Sequence, residues 1–323
     1  MRKKKRILTG LMVAFFATIL FVGSMIGSAQ GAYPERDITI VCPFGVGGPT
    51  DSYIRVVAME LEKIIGQKVK VLNIVGGQSV PAFKKVQGEP GDGYTIMAIS
   101  DSDIINTVFG RYDIREMTPI ARIQRDQGLF WVPQNSRFAG LKEVLEDAKA
   151  NPDKQKWVGA VQFEEVVAAL FMNRAGIKAP YTPYKHSDEA MAALAGGFFD
   201  VGYKEISGVY GLWEAKKIRP IVVLTEKRLE KYPDIPTARE FGIDVTLGRW
   251  RGVGVRKGTP PEIVSFLEGA FTKAIQSKRY QEYAEKTFTN LRPGFMPSKE
   301  AISAMEEDFV LFGDIMKSIG MVK

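Results

Sequence analysis

Pro43-Phe44-Gly45-Val46-Gly47-Gly48-Pro49-Thr50-Asp51 is the densest run of chemistry-bearing residues in the chain. Glycines there let the backbone approach a ligand and turn its N–H groups outward. The helical pattern that follows brings the positive end of a helix to the same place. Together these features hold an anion. The run lacks the Gly-Lys-Ser/Thr of a nucleotide-phosphate loop, and its glycine spacing misses the dinucleotide fingerprint. A tight strand-to-helix turn is the plain structural alternative. Two more stretches repeat the arrangement: Asn73-Ile74-Val75-Gly76-Gly77-Gln78-Ser79-Val80-Pro81 and Ser100-Asp101-Ser102 each follow a predicted strand. Ligands of open α/β sheets bind outside the carboxyl ends of strands, so three such loops converge on one crevice.

The elements that must position these loops alternate in type. Asp37–Pro43, Lys68–Ile74 and Tyr94–Ser100 read as strands. Tyr53–Ile65 carries apolar residues at helical spacing, with Thr50 and Asp51 as cap candidates and Gly66 as its end, and Pro81–Val86 reads as a short helix. This β-α-β-α-β order implies a mainly parallel sheet. A second series follows Trp131: helices at Leu141–Ala150, Glu164–Arg174 and Asp188–Ala195, and strands at Lys156–Ala160 and Ile218–Leu224. Arg251–Val255 reads as a strand again, Pro261 opens a helix, and Ser298 is expected to cap the last one. At 323 residues the chain exceeds what one core usually fills, so two lobes are expected, and no Pro/Gly/Ser linker separates them.

Charge excludes one class of partner. The formal net charge is +7, but Arg2, Lys3, Lys4, Lys5 and Arg6 supply five of these charges, and no acid lies before residue 32. The remaining +2 gives no basis for nucleic-acid binding. The basic start, the apolar run from Ile7 to about Ile26 and the small residues Gly27 to Ala32 form an export signal cut after Gly31, with an uncleaved anchor as the competing reading. Cys42 is the single cysteine, so no intrachain disulfide forms, and its apolar run marks a buried strand residue. His186 is the single histidine, which excludes multi-His and Cys/His zinc sites. A hydrolase is the least favoured class. His186, Ser187 and Asp188 are adjacent, whereas a catalytic triad converges from separate elements, and no G-x-S-x-G elbow is present. Consecutive Glu164 and Glu165 point about 100° apart on a helix and make no catalytic pair.

Further short landmarks occur in order: Tyr33-Pro34, Asp92-Gly93-Tyr94-Thr95, Thr118-Pro119-Ile120, Pro183-Tyr184-Lys185, Gly196-Gly197-Phe198-Phe199-Asp200, Tyr232-Pro233-Asp234-Ile235-Pro236-Thr237, Trp250-Arg251-Gly252 and Gly258-Thr259-Pro260. With the Pro43–Asp51 loop and the distance from Asn73 to Asp92, they resemble the extracytoplasmic solute receptors of tripartite tricarboxylate transporters, the Bug receptors. The resemblance runs from about Tyr33 to the C-terminus. It implies an α/β, type II-like periplasmic binding protein whose two lobes, each a mainly parallel sheet flanked by helices, close around a small carboxylate. The first lobe would span 32–131 and resume over 249–323, with the second over 132–248. The first two loops would hold the carboxylate through backbone N–H groups and bridging waters.

The ligand-binding residues expected on this basis are Phe44, Val46, Gly47, Gly48, Thr50 and Asp51 in the first loop, with Gln78, Ser79 and Val80 in the second. Ser100 and Asp101 follow in the third, and Gln162, Phe163, Lys204 and Glu205 in the second lobe, Phe163 packing on the ligand. No catalytic residue, metal or cofactor is expected. The expected partners are a small organic carboxylate or zwitterion and membrane transporter subunits, and the receptor is expected to be a periplasmic monomer. A receptor that reports to a membrane signalling protein is the alternative.

The second lobe departs from the family pattern. Glu165 stands where a histidine is usual, Lys204-Glu205 where Asp-Asn is frequent, and His186 and Ser187 replace glycines. Gln78-Ser79-Val80-Pro81 stands where Gly-Gly-Asn is common. Glu164 and Glu165 either support their helix N-terminus, worth about 0.3–1 kcal/mol each, or face the crevice with Lys204 as counter-charge. Lys204 reads alternatively as a solvated surface lysine. A zwitterion, or a ligand with one carboxylate and one donor end, fits this composition better than citrate.

Overall fold

In the computed structural model, which describes residues 33–160 and 162–323, the expected strand–helix alternation opens the chain. The predicted export signal and its cleavage point lie outside the described residues. β1 (Ile38–Cys42), β2 (Val69–Asn73) and β3 (Thr95–Ser100) are followed by α1 (Pro49–Ile65), α2 (Val80–Gln87) and α3 (Asp101–Val108) respectively. β1 pairs in parallel with both β2 and β3. β4 (Met117–Arg125), β10 (Trp250–Arg256) and β11 (Met296–Pro297) complete a six-stranded sheet in the order β11-β4-β10-β3-β1-β2. β10 runs antiparallel to β3 and β4, and β11 antiparallel to β4. The sheet is therefore mixed, and its parallel part is the β-α-β portion. A parallel neighbour needs a crossover along the sheet, whereas β10 arrives from the second sheet.

That second sheet has five strands in the order β7-β6-β8-β5-β9. They are β5 (Gly128–Pro133), β6 (Trp157–Ala160), β7 (Tyr181–Tyr184), β8 (Val201–Glu205) and β9 (Ile218–Val223). β6 is parallel to β7 and β8, while β5 is antiparallel to β8 and β9. α4 (Leu141–Ala150), α5 (Phe163–Ala175), α6 (Ser187–Ala195) and α7 (Ile206–Glu214) lie between these strands in the chain. The chain enters this sheet between Arg125 and Gly128 and re-enters the first between Val223 and Trp250. α8 (Pro261–Gln276), α9 (Lys278–Lys286) and α10 (Ser298–Ser318) follow.

Local chemistry explains the helix that matters most. Gly48 is extended and Pro49 opens α1, so the helix starts before Tyr53, and Thr50 and Asp51 lie within its first turn rather than capping it. Gly66, left-handed at φ 72°, ends it as expected. Tyr53, Ile54, Val57, Ala58 and Leu61 are buried, and the Tyr53 hydroxyl donates to the Gly252 carbonyl at 2.8 Å. Gly252 is needed where β10 crosses β4, because a Cβ there would sit 2.5 Å from the Ala121 carbonyl oxygen. Cys42 is fully buried in β1, as its apolar run predicts, and burial raises its thiol to about 11. Ser298 is the first residue of α10 rather than its cap, and its hydroxyl donates to the Pro119 carbonyl at 2.6 Å.

Candidate ligand cleft

The first loop is held from beneath by Asp51. Its Oδ2 accepts the Gly47 N–H and Arg55 Nε, each at 2.9 Å, and its Oδ1 accepts Asn73 Nδ2 at 2.8 Å. Asn73 Nδ2 also donates to the Phe44 carbonyl at 3.0 Å, and Arg55 Nη2 donates to Asn73 Oδ1 at 2.9 Å. The end of β2 thus fixes the loop that follows β1. Burial pushes the Asp51 carboxyl up, but hydrogen bonds from Arg55, Gly47 and Asn73 outweigh it and hold the group below its ordinary value. Gly47 adopts φ +80°, and Gly48 donates to the Gly45 carbonyl at 3.2 Å. The first-turn N–H groups of Thr50 and Asp51 have no acceptor among the described residues.

Strain marks the second loop. Gly76, Gly77, Gln78 and Ser79 all adopt positive φ, from 54° to 96°. Two of them carry side chains, at a cost of roughly 1–2 kcal/mol each. Such a run turns successive N–H groups into an anion-binding concavity, and those of Gly77 and Gln78 have no acceptor among the described residues. Backbone strain of this kind collects at ligand clamps. Gln162, the residue before α5, is likewise held at φ +67°. Asn106 of α3 joins the two strained sites: its Nδ2 donates to the Gln78 carbonyl at 2.9 Å, and its Oδ1 accepts Gln162 Nε2 at 3.2 Å.

The second-sheet half is built from charged side chains. Glu164 Oε2 accepts the Ala160 N–H at 2.6 Å, and its Oε1 accepts Ser187 Oγ at 2.7 Å and Lys204 Nζ at 2.8 Å. Lys204 Nζ also donates to Ser187 Oγ at 3.0 Å and pairs with Glu205 Oε2 at 3.0 Å. Arg249, just before β10, continues the chain of charges. Its Nε lies 3.5 Å from Glu205 Oε1, and its Nη1 lies 3.4 Å from Asp101 Oδ1 and 2.9 Å from Ser102 Oγ. Its guanidinium stacks 4.4 Å over the Phe163 ring. Arg251 pairs with Asp126 and donates to Thr50 Oγ1 at 3.2 Å, so a second buried ion pair reaches the first turn of α1.

The electrostatics follow from burial and pairing. Burial opposes the Lys204 charge, yet Glu164 and Glu205 outweigh it and raise the ammonium above its ordinary value. Burial raises Glu205, but Lys204, Arg249 and Arg251 hold it well below the usual carboxylate range. Asp101 goes the other way: burial dominates, against Arg249 and the Trp250 N–H, and lifts it to about 7.

The structure brings together most residues that the sequence singles out, with changed roles for several. Val46, at 75% exposure, and half-exposed Phe44 stand on the first loop, and Val80 opens α2. Gly47 was expected to offer its N–H to a ligand carboxylate; that N–H is bonded to Asp51, because the carboxylate folds back under its own loop. Gly48 also bonds within the loop. Ser100 is buried and closes a capping box with Asp103. Asp101 accepts the Trp250 N–H at 3.0 Å and pairs with Arg249. Phe163 is 1% exposed, with its ring against Arg249, Tyr203 and Phe312, so its surface packs on protein rather than on a ligand. Lys204 and Glu205 meet as an ion pair, and Lys204 is not a solvated lysine. Trp250 packs in the core, its Nε1 donating to Asp308 at 2.8 Å. Arg249 escaped the sequence reading; the available signal was a second arginine flanking Trp250 where the chain re-enters the first sheet.

Residues 53–321 match the family model described as the tripartite tricarboxylate transporter family receptor. A UPF0065 protein of Cupriavidus necator is 28% identical over 317 residues, covering 96% of each chain. A TctC solute binding protein from Polaromonas superposes with a TM-score of 0.77 at 24% identity, over 88% of this chain and 99% of that one. An R. palustris protein solved with adipate gives a TM-score of 0.77 at 25% identity, over 89% and 98% of the two chains. The two mixed sheets flanked by helices, the loops at their strand ends and this match over most of the length agree: the chain belongs to the receptor family of tripartite tricarboxylate transporters.

Proposed function

We propose that this protein is a periplasmic solute receptor that captures one small carboxylate-containing ligand between its two sheets and delivers it to the membrane subunits of a tripartite tricarboxylate-type transporter. The observation that carries this reading is the set of N–H groups at Thr50, Asp51, Gly77 and Gln78, without an acceptor among the described residues, at the carboxyl ends of β1 and β2. Backbone donors at a helix start favour an anion; Asp51, Asn73 and Arg55 fix the first loop, and Asn106 holds the second at the Gln78 carbonyl. The adipate-bound neighbour supports a carboxylate as the ligand class. In this reading residues 1–31 are an export signal, the lobes are 32–131 with 249–323 and 132–248, and the receptor works as a monomer without cofactor or turnover. The Ser187 hydroxyl is bonded to Glu164 and Lys204 rather than to His186, so the adjacent His186-Ser187-Asp188 run forms no triad.

A thermal-shift screen of mono-, di- and tricarboxylates and amino acids, followed by titration calorimetry, tests the reading. One ligand should bind per chain, and at 100 times Kd it should add about 2.7 kcal/mol of stability. Mass spectrometry should recover that ligand unchanged. Recovery of a chemically altered ligand would refute a pure binding role.

A further inference from the structure

We propose that the second-sheet half of the cleft already holds its own anion, the Glu164 carboxylate, and that the receptor therefore prefers ligands with a single carboxylate and an uncharged or cationic far end over dicarboxylates. This rests on the reading of the first-sheet loops as the carboxylate cradle.

The donors around Glu164 are those a bound carboxylate would need. They are a backbone N–H from the end of β6 (Ala160), a hydroxyl from the first residue of α6 (Ser187) and an ammonium from β8 (Lys204), at 2.6, 2.7 and 2.8 Å. They come from three separate elements and converge on one carboxyl group. Glu164 is 1% exposed and occupies all three. Lys204 has three N–H donors, and Glu164, Ser187 and Glu205 supply three acceptors. None is left for a ligand oxygen.

Arg249 is compensated as well, lying between Glu205 and Asp101. The joined network sets the two cations Lys204 and Arg249 against the three carboxyl groups of Glu164, Glu205 and Asp101. A ligand's second carboxylate would enter beside buried carboxyls, and neither cation of this network is left unmatched to meet it. Burying an uncompensated anion is strongly unfavourable. A hydroxyl, amide or ammonium meets no such penalty.

Matched pairs of equal chain length test this by titration calorimetry: butanoate and succinate, pentanoate and glutarate, hexanoate and adipate, each with the corresponding ω-amino acid. In the wild-type protein the monocarboxylate or ω-amino acid of a pair should bind at least about tenfold tighter than the dicarboxylate, or 1.4 kcal/mol. Glu164→Gln removes the built-in charge while keeping the side-chain volume. It should move the affinity ratio at least about tenfold toward the dicarboxylate. A dicarboxylate that binds wild type as tightly as its partner overturns the proposal, and the wild-type ratio stands even if the variant does not fold. Binding of dicarboxylates alone would sink the proposal and leave the cradle intact. Failure of every carboxylate in the series would sink the cradle reading and the proposal with it.

Discussion

In the first sheet, the proposed ligand contacts are backbone N–H donors, and the side chains of Asp51, Asn73 and Arg55 work underneath to hold the first loop. In the second, the side chains themselves form a chain of charge, Glu164 to Lys204 to Glu205, that Arg249 extends to Asp101. The first arrangement stores its cost as strain at Gln78 and Ser79. The second stores it as desolvated charge, bearable only while every partner is present. In the proposed reading the first half awaits an anion, while the second matches its charges internally, although Glu205 Oε1 lacks a hydrogen bond. Mutations should separate the two, one losing affinity and the other stability.

The largest stability effect should come from Lys204→Met, which leaves Glu164 and Glu205 buried beside each other without their shared cation. Breaking such a buried pair costs about 3–5 kcal/mol, read from urea unfolding. Adding Glu164→Gln to Lys204→Met should return a good part of that loss, because the two sites are coupled. Additive losses would mean that these charges do not act as a unit.

Asp51→Ala should act on affinity instead. It removes the acceptor of the Gly47 N–H, Arg55 and Asn73 together, and hydrogen bonds to a charged group are worth roughly 1.5–3 kcal/mol each. Calorimetry with the ligand from the screen should show a loss of at least about a hundredfold, near 2.7 kcal/mol. His186→Ala, at an exposed position before α6, should lose less than about tenfold. The reverse order would place the anion site in the second sheet.

The last test concerns pH. Burial lifts the Asp101 carboxyl to about 7, against about 3.9 in an unfolded chain. Between these values the native state holds a proton that the unfolded state has released. Asp101 therefore makes stability fall as pH rises from about 4 to about 7, and the loss is complete above that. Asp101→Asn should shrink the difference between unfolding free energies at pH 4.5 and pH 7.5. Asp103, raised to about 6 by burial, should leave a residual slope. An unchanged difference would show that Asp101 is ionised throughout.

Much of the first half was legible in sequence because its determinants are local. Glycine and proline at Gly47, Gly48 and Pro49 dictate a turn and a helix start whatever surrounds them. Asp51 was found as a site residue, but its inward direction depends on Asn73 and Arg55, which composition alone does not place. The second half is non-local: Asp101, Glu164, Lys204 and Arg249 lie far apart in the chain, and the pairing of β6 with β8 and of β10 with β3 helps bring them together. β4 and β5 were likewise absent from the sequence reading, since their partners are antiparallel strands that come much later. Phe163 shows the limit of analogy between loops: its position was identified, but its burial under Arg249 was not.

The placement of β10 between β3 and β4 sets a clock on the protein's birth. Arg251 lies opposite Ser100 on one side and Gln124 on the other, so strands made early are joined only by one made late. A ribosome that has released residues up to β9 has produced every strand of the second sheet but a first sheet still in two pieces. Closing so long an intervening stretch is slow. The first sheet therefore cannot close until the last quarter of the chain has been made, whereas the second has all its strands before then.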